Sequence, residues 1–301
     1  MARDKSFMSR DLHGSFTATL TPFRGDGSID FAYIPRHLRF MEENGMDGAV
    51  PSGTNGEAAS LSLDERKRVI EETIASKGNL LVVAGTGCTN LPETVELSRF
   101  AESAGADAIL VMPPFFFRGA TVKGLVNYYR GLLDQVSIRV LLYNIPQFSG
   151  VEITHELIHG LEGYPHLAGV KDSAGDAEAT RRLIAVFPNL RIFNGSDLNI
   201  ESATRAGVAG SITGLGNAFP KLVVGAYNES KASGSGSPSQ ERLRLLVDIY
   251  DRYPLLATNK PALSFQGFPK VHVRPPLVDL KPEQEDEFRR ELESADFLPA
   301  A

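Results

Sequence analysis

Leu80-Leu81-Val82-Val83-Ala84-Gly85-Thr86-Gly87-Cys88-Thr89-Asn90-Leu91-Pro92-Glu93 outlines the fold in miniature. An apolar run of strand length comes first, then a turn of glycines and hydroxyl residues, then a helix start. Asn90 offers its side-chain oxygen to the backbone three residues on, where Glu93 carries a carboxylate able to reach back. The helix opened there runs to Gly105, where left-handed backbone closes it before the next apolar run at 108–112. One unit is therefore strand, loop, helix, loop.

Outward from this stretch the unit repeats. Apolar runs occupy 15–20, 48–50, 80–84, 108–112, 139–143, 167–170, 191–193 and 210–213. They are separated by roughly 18 to 33 residues, room for a helix and two loops. Their continuous apolar character predicts a parallel sheet buried on both faces. Eight such units in about 215 residues fit a (β/α)8 barrel better than an open doubly wound sheet, which is the alternative. Ser62-Leu63-Asp64-Glu65 repeats the capping pattern, and Gly45 and Gly78 repeat the stop.

Residues 1–232 are assigned to the barrel and 233–301 to a C-terminal helical region. Ser233-Gly234-Ser235-Gly236-Ser237-Pro238 offers nothing to bury and reads as a surface loop or linker. Helical stretches are expected at 241–253, 259–265 and 283–294. Sixty to seventy residues, roughly, are near the lower limit for a separate core, so these helices should pack on the barrel.

Composition narrows the function classes. The chain has 301 residues, 42% hydrophobic and 23% charged, which excludes global disorder. Its 31 basic and 37 acidic residues give a net charge of -6, which argues against nucleic acid as a partner. A single cysteine, Cys88, permits neither an internal disulfide nor a multi-cysteine metal cage. The opening residues lack an apolar run of signal-peptide length and no stretch could span a bilayer. A cytoplasmic protein without a membrane partner is expected.

A barrel of this kind carries its site at the carboxyl ends of the strands. The residues there are mostly small, hydroxylated or glycine, and one carries an amine: Lys171, after Leu167-Ala168-Gly169-Val170. A strand-end lysine commonly reaches water. The sharper reading is an amine in an apolar mouth, where desolvation favours the neutral nucleophile and attack on a carbonyl. Tyr143 closes the preceding strand and could either cap the core or shuttle protons. Gly53-Thr54-Asn55-Gly56 could be an ordinary turn or a loop whose backbone approaches an anion closely. Position alone leaves each pair of readings open.

Taken together these residues resemble a family. Gly53-Thr54-Asn55-Gly56-Glu57, Tyr143-Asn144-Ile145-Pro146, Gly169-Val170-Lys171-Asp172 and Gly207-Val208-Ala209-Gly210-Ser211-Ile212 stand in the order found in the dihydrodipicolinate synthase/N-acetylneuraminate lyase family. Thr19-Leu20-Thr21-Pro22-Phe23 is similar to its opening strand, and the likeness spans about residues 14 to 295. The resemblance implies a (β/α)8 barrel with a C-terminal helical part, a homotetramer, and no metal or organic cofactor. It implies that Lys171 forms a Schiff base with pyruvate or another 2-oxo acid. Tyr143 would then transfer protons, and Thr54 with Asn55 would hold the carboxylate. A protonated imine lets the neighbouring C–C bond break to a neutral enamine instead of a bare carbanion.

Departures from the family pattern sort its branches. Dihydrodipicolinate synthases carry an arginine two residues past the proline of the tyrosine motif, gripping the second substrate's carboxylate. Here that residue is Phe148, which removes the bidentate clamp. Their second tyrosine, lent by a neighbouring subunit, corresponds to Phe116. N-acetylneuraminate lyases use an Asp-Glu pair where this chain has Asp197-Leu198, and a serine where it has Gly214. The expected reaction is therefore aldol cleavage or formation between pyruvate and an aldehyde, on a 2-keto-3-deoxy sugar acid. Gln147, Ser196, Asp197 and Thr213 are the candidates for its hydroxyls. A keto-deoxy acid dehydratase and a dihydrodipicolinate synthase, on the same lysine chemistry, are the alternatives.

Four other readings compete with this one. His155-Glu156-Leu157-Ile158-His159 matches the H-E-x-x-H pattern of zinc hydrolases. Gly160, Gly163 and Pro165 end that helix early, however, and the segment falls on an outer helix between the fifth and sixth strands. Gly214-Leu215-Gly216-Asn217-Ala218-Phe219 begins like a dinucleotide loop but lacks the third glycine. A catalytically dead binding barrel would not require Lys171, Tyr143 and Thr54 together. Cys88 reads as a buried spectator.

Overall fold

The computed structural model describes residues 11–232, 236–254 and 256–298. Residues 233–235 of the presumed linker and the opening residues of the chain lie outside the described residues. The first half runs β1 (Gly14–Ala18), α1 (Tyr33–Glu43), β2 (Gly48–Val50), α2 (Leu63–Ala75), β3 (Leu81–Gly85), α3 (Leu91–Ala104), β4 (Ala108–Val111) and α4 (Val122–Leu133). It continues with β5 (Val140–Asn144), the short turns α5 (Pro146–Ser149) and α6 (His155–His159), β6 (Leu167–Asp172), α7 (Ala177–Val186) and β7 (Arg191–Asn194). Then come α8 (Ile200–Ala206), β8 (Gly210–Thr213), α9 (Pro220–Ala232), α10 (Pro238–Tyr250), α11 (Asn259–Phe265) and α12 (Pro282–Ser294).

The strands close into one parallel barrel in chain order, with β1 pairing β8 as well as β2. Nearly every strand residue is buried, which is why the runs are continuous instead of alternating. Phe16, Val83, Leu110, Leu141, Phe193 and Ile212 fill the interior, with Phe16 and Phe193 edge to face at 5.6 Å. The cap signals act as their chemistry predicts except at Glu93, whose carboxylate accepts from the Asn90 side-chain amide and not from its backbone N–H. Ser62 and Glu65 form a reciprocal capping box, Asn90 accepts from the Glu93 N–H, and Gly45, Gly78 and Gly105 adopt left-handed backbone.

The C-terminal helices share a core with the barrel. Leu243, Leu246 and Ile249 of α10, Leu263 of α11 and Phe288 of α12 join one apolar cluster with Leu38 and Met41 of α1. Helix α10 starts at Pro238, earlier than the periodicity indicates, because Ser237 caps it by accepting from the Gln240 N–H.

A buried histidine ties α1 to the rim. His37 donates from Nε2 to the Asn217 carbonyl at 3.0 Å, and Asn217 itself holds Ala18 and Leu20. Burial pushes the imidazole down from 6.5 to about 4. The unfolded chain therefore takes up this proton first, and stability is lost as pH falls through that window. Urea midpoints should drop between pH 6.5 and pH 4 more steeply in the natural protein than in His37→Gln. Parallel pH profiles for the two would refute the assignment.

Candidate active site

Strand β6 runs two residues past its apolar run, so Lys171 lies inside the ladder, directly opposite Tyr143 of β5 in register. Lys171 is 4% exposed, and its Nζ stands 4.1 Å from the centre of the Tyr143 ring. The next pair along is Asn144 and Asp172. Asn144 donates to Asp172 Oδ1 at 2.9 Å, and Thr180 donates to Oδ2 at 2.8 Å. These bonds fix the strand ends, so the amine and the phenol have little freedom to drift.

Tyr143 Oη lies 3.2 Å from Thr54 Oγ1, which links the two strands to the loop after β2. That loop backs closely onto the barrel. A Cβ on Gly56 would stand 2.9 Å from the Thr19 carbonyl, and Thr21 donates to the Gly56 carbonyl at 2.6 Å.

One cavity of about 810 Å³ opens over this group. Thr54, Asn55, Tyr143, Gln147, Lys171, Ser196, Asp197 and Thr213, all eight sequence candidates, line it. Gln147 donates to the Ser173 carbonyl at 2.8 Å, and Ser196 is held by Asn194. Asp197 accepts from the N–H groups of Gly214 and Leu215 through Oδ2, while its Oδ1 is buried without a protein partner. Burial pushes this carboxyl up; the Thr213 hydroxyl, the two N–H groups and the Lys171 charge pull it down.

Sequence reasoning missed several lining residues, Ser173, Tyr250, Asp251 and Asn259 among them. Ser173, two past Lys171, reads in the sequence as one of several strand-end hydroxyls, with nothing to single it out. Tyr250 ends α10 and Asn259 begins α11; both sit on helices whose periodicity announces only packing. The Ser173 and Tyr250 hydroxyls and Asn259 Oδ1 also lack protein partners. Among the described lining residues Lys171 is the one cation, sharing the cavity with the carboxylates of Asp197 and Asp251. Chemically the cavity offers an amine for a carbonyl, a phenol beside it, and a wall of neutral oxygens with two carboxylates.

The H-E-x-x-H segment lies elsewhere. It forms the five-residue α6 outside the barrel, with the His155 and His159 rings packed against Phe187 at 5.5 and 4.8 Å. His159 is engaged by Glu162, and among the described residues no group of three potential ligands is assembled. Cys88 is buried against the Arg66 guanidinium at 3.1 Å. No helix among the described residues is long and apolar enough to cross a membrane.

Comparison with known proteins gives a consistent result. Residues 11–295 match the sequence pattern of the dihydrodipicolinate synthetase family. An uncharacterized DapA-like lyase of Chloroflexus aurantiacus is 41% identical over 90% of this chain and 93% of its own length. A 4-hydroxy-tetrahydrodipicolinate synthase of Anaplasma marginale is 32% identical over 95% of this chain and 96% of its own. The dihydrodipicolinate synthase of Acinetobacter baumannii, solved in complex with pyruvate, superposes with a TM-score of 0.87 at 27% identity, covering 96% of this chain and 100% of that one. The (β/α)8 barrel and its matches from end to end place this chain in the dihydrodipicolinate synthetase family, as a lyase of the aldolase type.

Proposed function

We propose that Lys171 forms a Schiff base with pyruvate, or with the 2-oxo group of a 2-keto-3-deoxy sugar acid, and that the bond made or broken lies between C3 and C4 of that acid. The pairing of a buried amine with a phenol in register beside it carries this reading. Lys171 Nζ attacks C2 and water leaves. In the cleavage direction the C3–C4 electron pair passes into the imine, giving an enamine, while Tyr143 takes the C4 hydroxyl proton and an aldehyde departs. Protonation at C3 and hydrolysis return pyruvate and the free amine. Thr54 and Asn55 receive the 2-oxo acid's carboxylate.

The cavity's charge supports a hydroxylated second half. Beyond the 2-oxo group, a carboxylate would meet Asp197 and Asp251 with no guanidinium to offset them, since Phe148 stands in the clamp position. Hydroxyls would instead pair with Gln147, Ser196, Asp197 and Thr213. A dehydratase acting through the same imine is the second reading. Synthesis of 4-hydroxy-tetrahydrodipicolinate, the activity in the name of the Anaplasma marginale relative, is the third. A homotetramer belongs to the same proposal, supported by the exposed, edge-to-face Phe116 and Phe117.

Borohydride added with pyruvate should leave a stable mass increase on the Lys171 peptide. Pyruvate release from a panel of keto-deoxy sugar acids should exceed condensation of pyruvate with aspartate semialdehyde by at least about a hundredfold in kcat/KM. The reverse preference would overturn the sugar-acid reading, and labelling of another residue would overturn the mechanism.

A further inference from the structure

A second buried lysine lies behind the site. Lys260, the second residue of α11, has a side chain 2% exposed, and its ammonium donates to Glu57 and to the His272 carbonyl. The other Glu57 oxygen accepts from the Arg274 N–H at 2.9 Å. The Phe23 ring packs beneath both cations, 4.6 Å from Lys260 Nζ and 4.3 Å from the Arg274 guanidinium.

Glu57 is no bystander to the Thr54–Asn55 loop. Its N–H donates to the Thr54 carbonyl at 3.0 Å and closes the turn that contains Asn55 and Gly56. Its backbone is left-handed, with φ of 51°, a conformation that a residue with a side chain holds against strain. Asn259, next to Lys260, donates to Asn55 Oδ1 at 3.4 Å. The start of α11 thus meets the loop at two points.

We infer that Lys260 is a positioning residue for the carboxylate site, acting through Glu57 to hold Thr54 and Asn55 where a 2-oxo acid binds. This rests on the aldolase reading given above. Without the ammonium, a desolvated carboxylate is left with one backbone N–H partner, and relief comes from Glu57 swinging toward water. The turn it closes would move with it, and Thr54 would leave its place against Tyr143.

Borohydride labelling of Lys171 against pyruvate concentration reads the effect. Lys260→Met should raise half-saturating pyruvate about tenfold while kcat at saturation changes less than about twofold. The double variant Glu57→Gln, Lys260→Met, which removes both charges and keeps the volume, should return half-saturation to within about threefold of the natural protein. Unchanged half-saturation in Lys260→Met, a loss confined to kcat, or a double variant no better than the single would each refute the role. If Lys260→Met does not fold, Glu57→Gln alone carries the test, with the same tenfold rise expected and no rise refuting it. Failure of the natural protein to label at Lys171 would instead overturn the aldolase reading itself.

Discussion

Lys171→Ala should remove borohydride labelling by pyruvate altogether and bring turnover to the background level. Covalent catalysis by imine formation has no substitute in this cavity, because the other described lining residues offer no amine. Lys260 cannot take over, since its ammonium is held by Glu57 and the His272 carbonyl. The fold should survive, because Lys171 makes its packing contact with one face of Tyr143 while Asp172, Asn144 and Thr180 hold the strand ends. Mass spectrometry of the labelled peptide and a melting curve check both halves. Residual turnover above about a thousandth of the natural rate would mean that another group carries the chemistry.

Tyr143→Phe separates proton transfer from binding. The ring stays in place beside Lys171 and only the hydroxyl is lost, together with its bond to Thr54. General acid–base catalysis is worth about 10²- to 10⁴-fold, so kcat should fall by that much. Half-saturating pyruvate for labelling should shift by less than about threefold, because the Thr54 carbonyl keeps the Glu57 N–H and the neighbouring Gly53 carbonyl keeps the Ala58 N–H. Steady-state kinetics on one keto-deoxy acid, run beside the labelling assay, give the two numbers. A fall in affinity without a fall in kcat would make Tyr143 a binding group alone.

The barrel was legible because each strand announces itself twice, by a continuous apolar run and by the turn or cap that follows. Ser62 and Asn90 cap where local chemistry says they must, and the strands fall within a residue or two of the runs. Lys171 and Tyr143 were legible for a different reason: an amine and a phenol are conspicuous on a rim of small and hydroxylated residues. Their exact facing was not, since the sixth run stops one residue short of Lys171 and register depends on pairing between strands.

The contributions of the C-terminal helices were invisible. Asn259 meets Asn55 across a sequence separation of 204 residues, and Lys260 meets Glu57 across 203. No local pattern distinguishes a lysine that will be buried against a distant carboxylate from one that will face water. The H-E-x-x-H motif is the converse case, five residues that spell a pattern on an outer turn where both imidazole rings pack against Phe187.

Residues 143 and 171 are carried by a hydrogen-bonded ladder of paired strands, whereas the residues around the far end of the cavity come from loops and appended helices. Chemistry and choice of aldehyde are thereby separable inheritances. On the proposed mechanism, new acceptors can be acquired by rewriting the segments after β7 and β8 and the ends of α10 and α11, with no adjustment to Tyr143 and Lys171. Attempts to redirect this catalyst should mutate those segments and leave the strands alone.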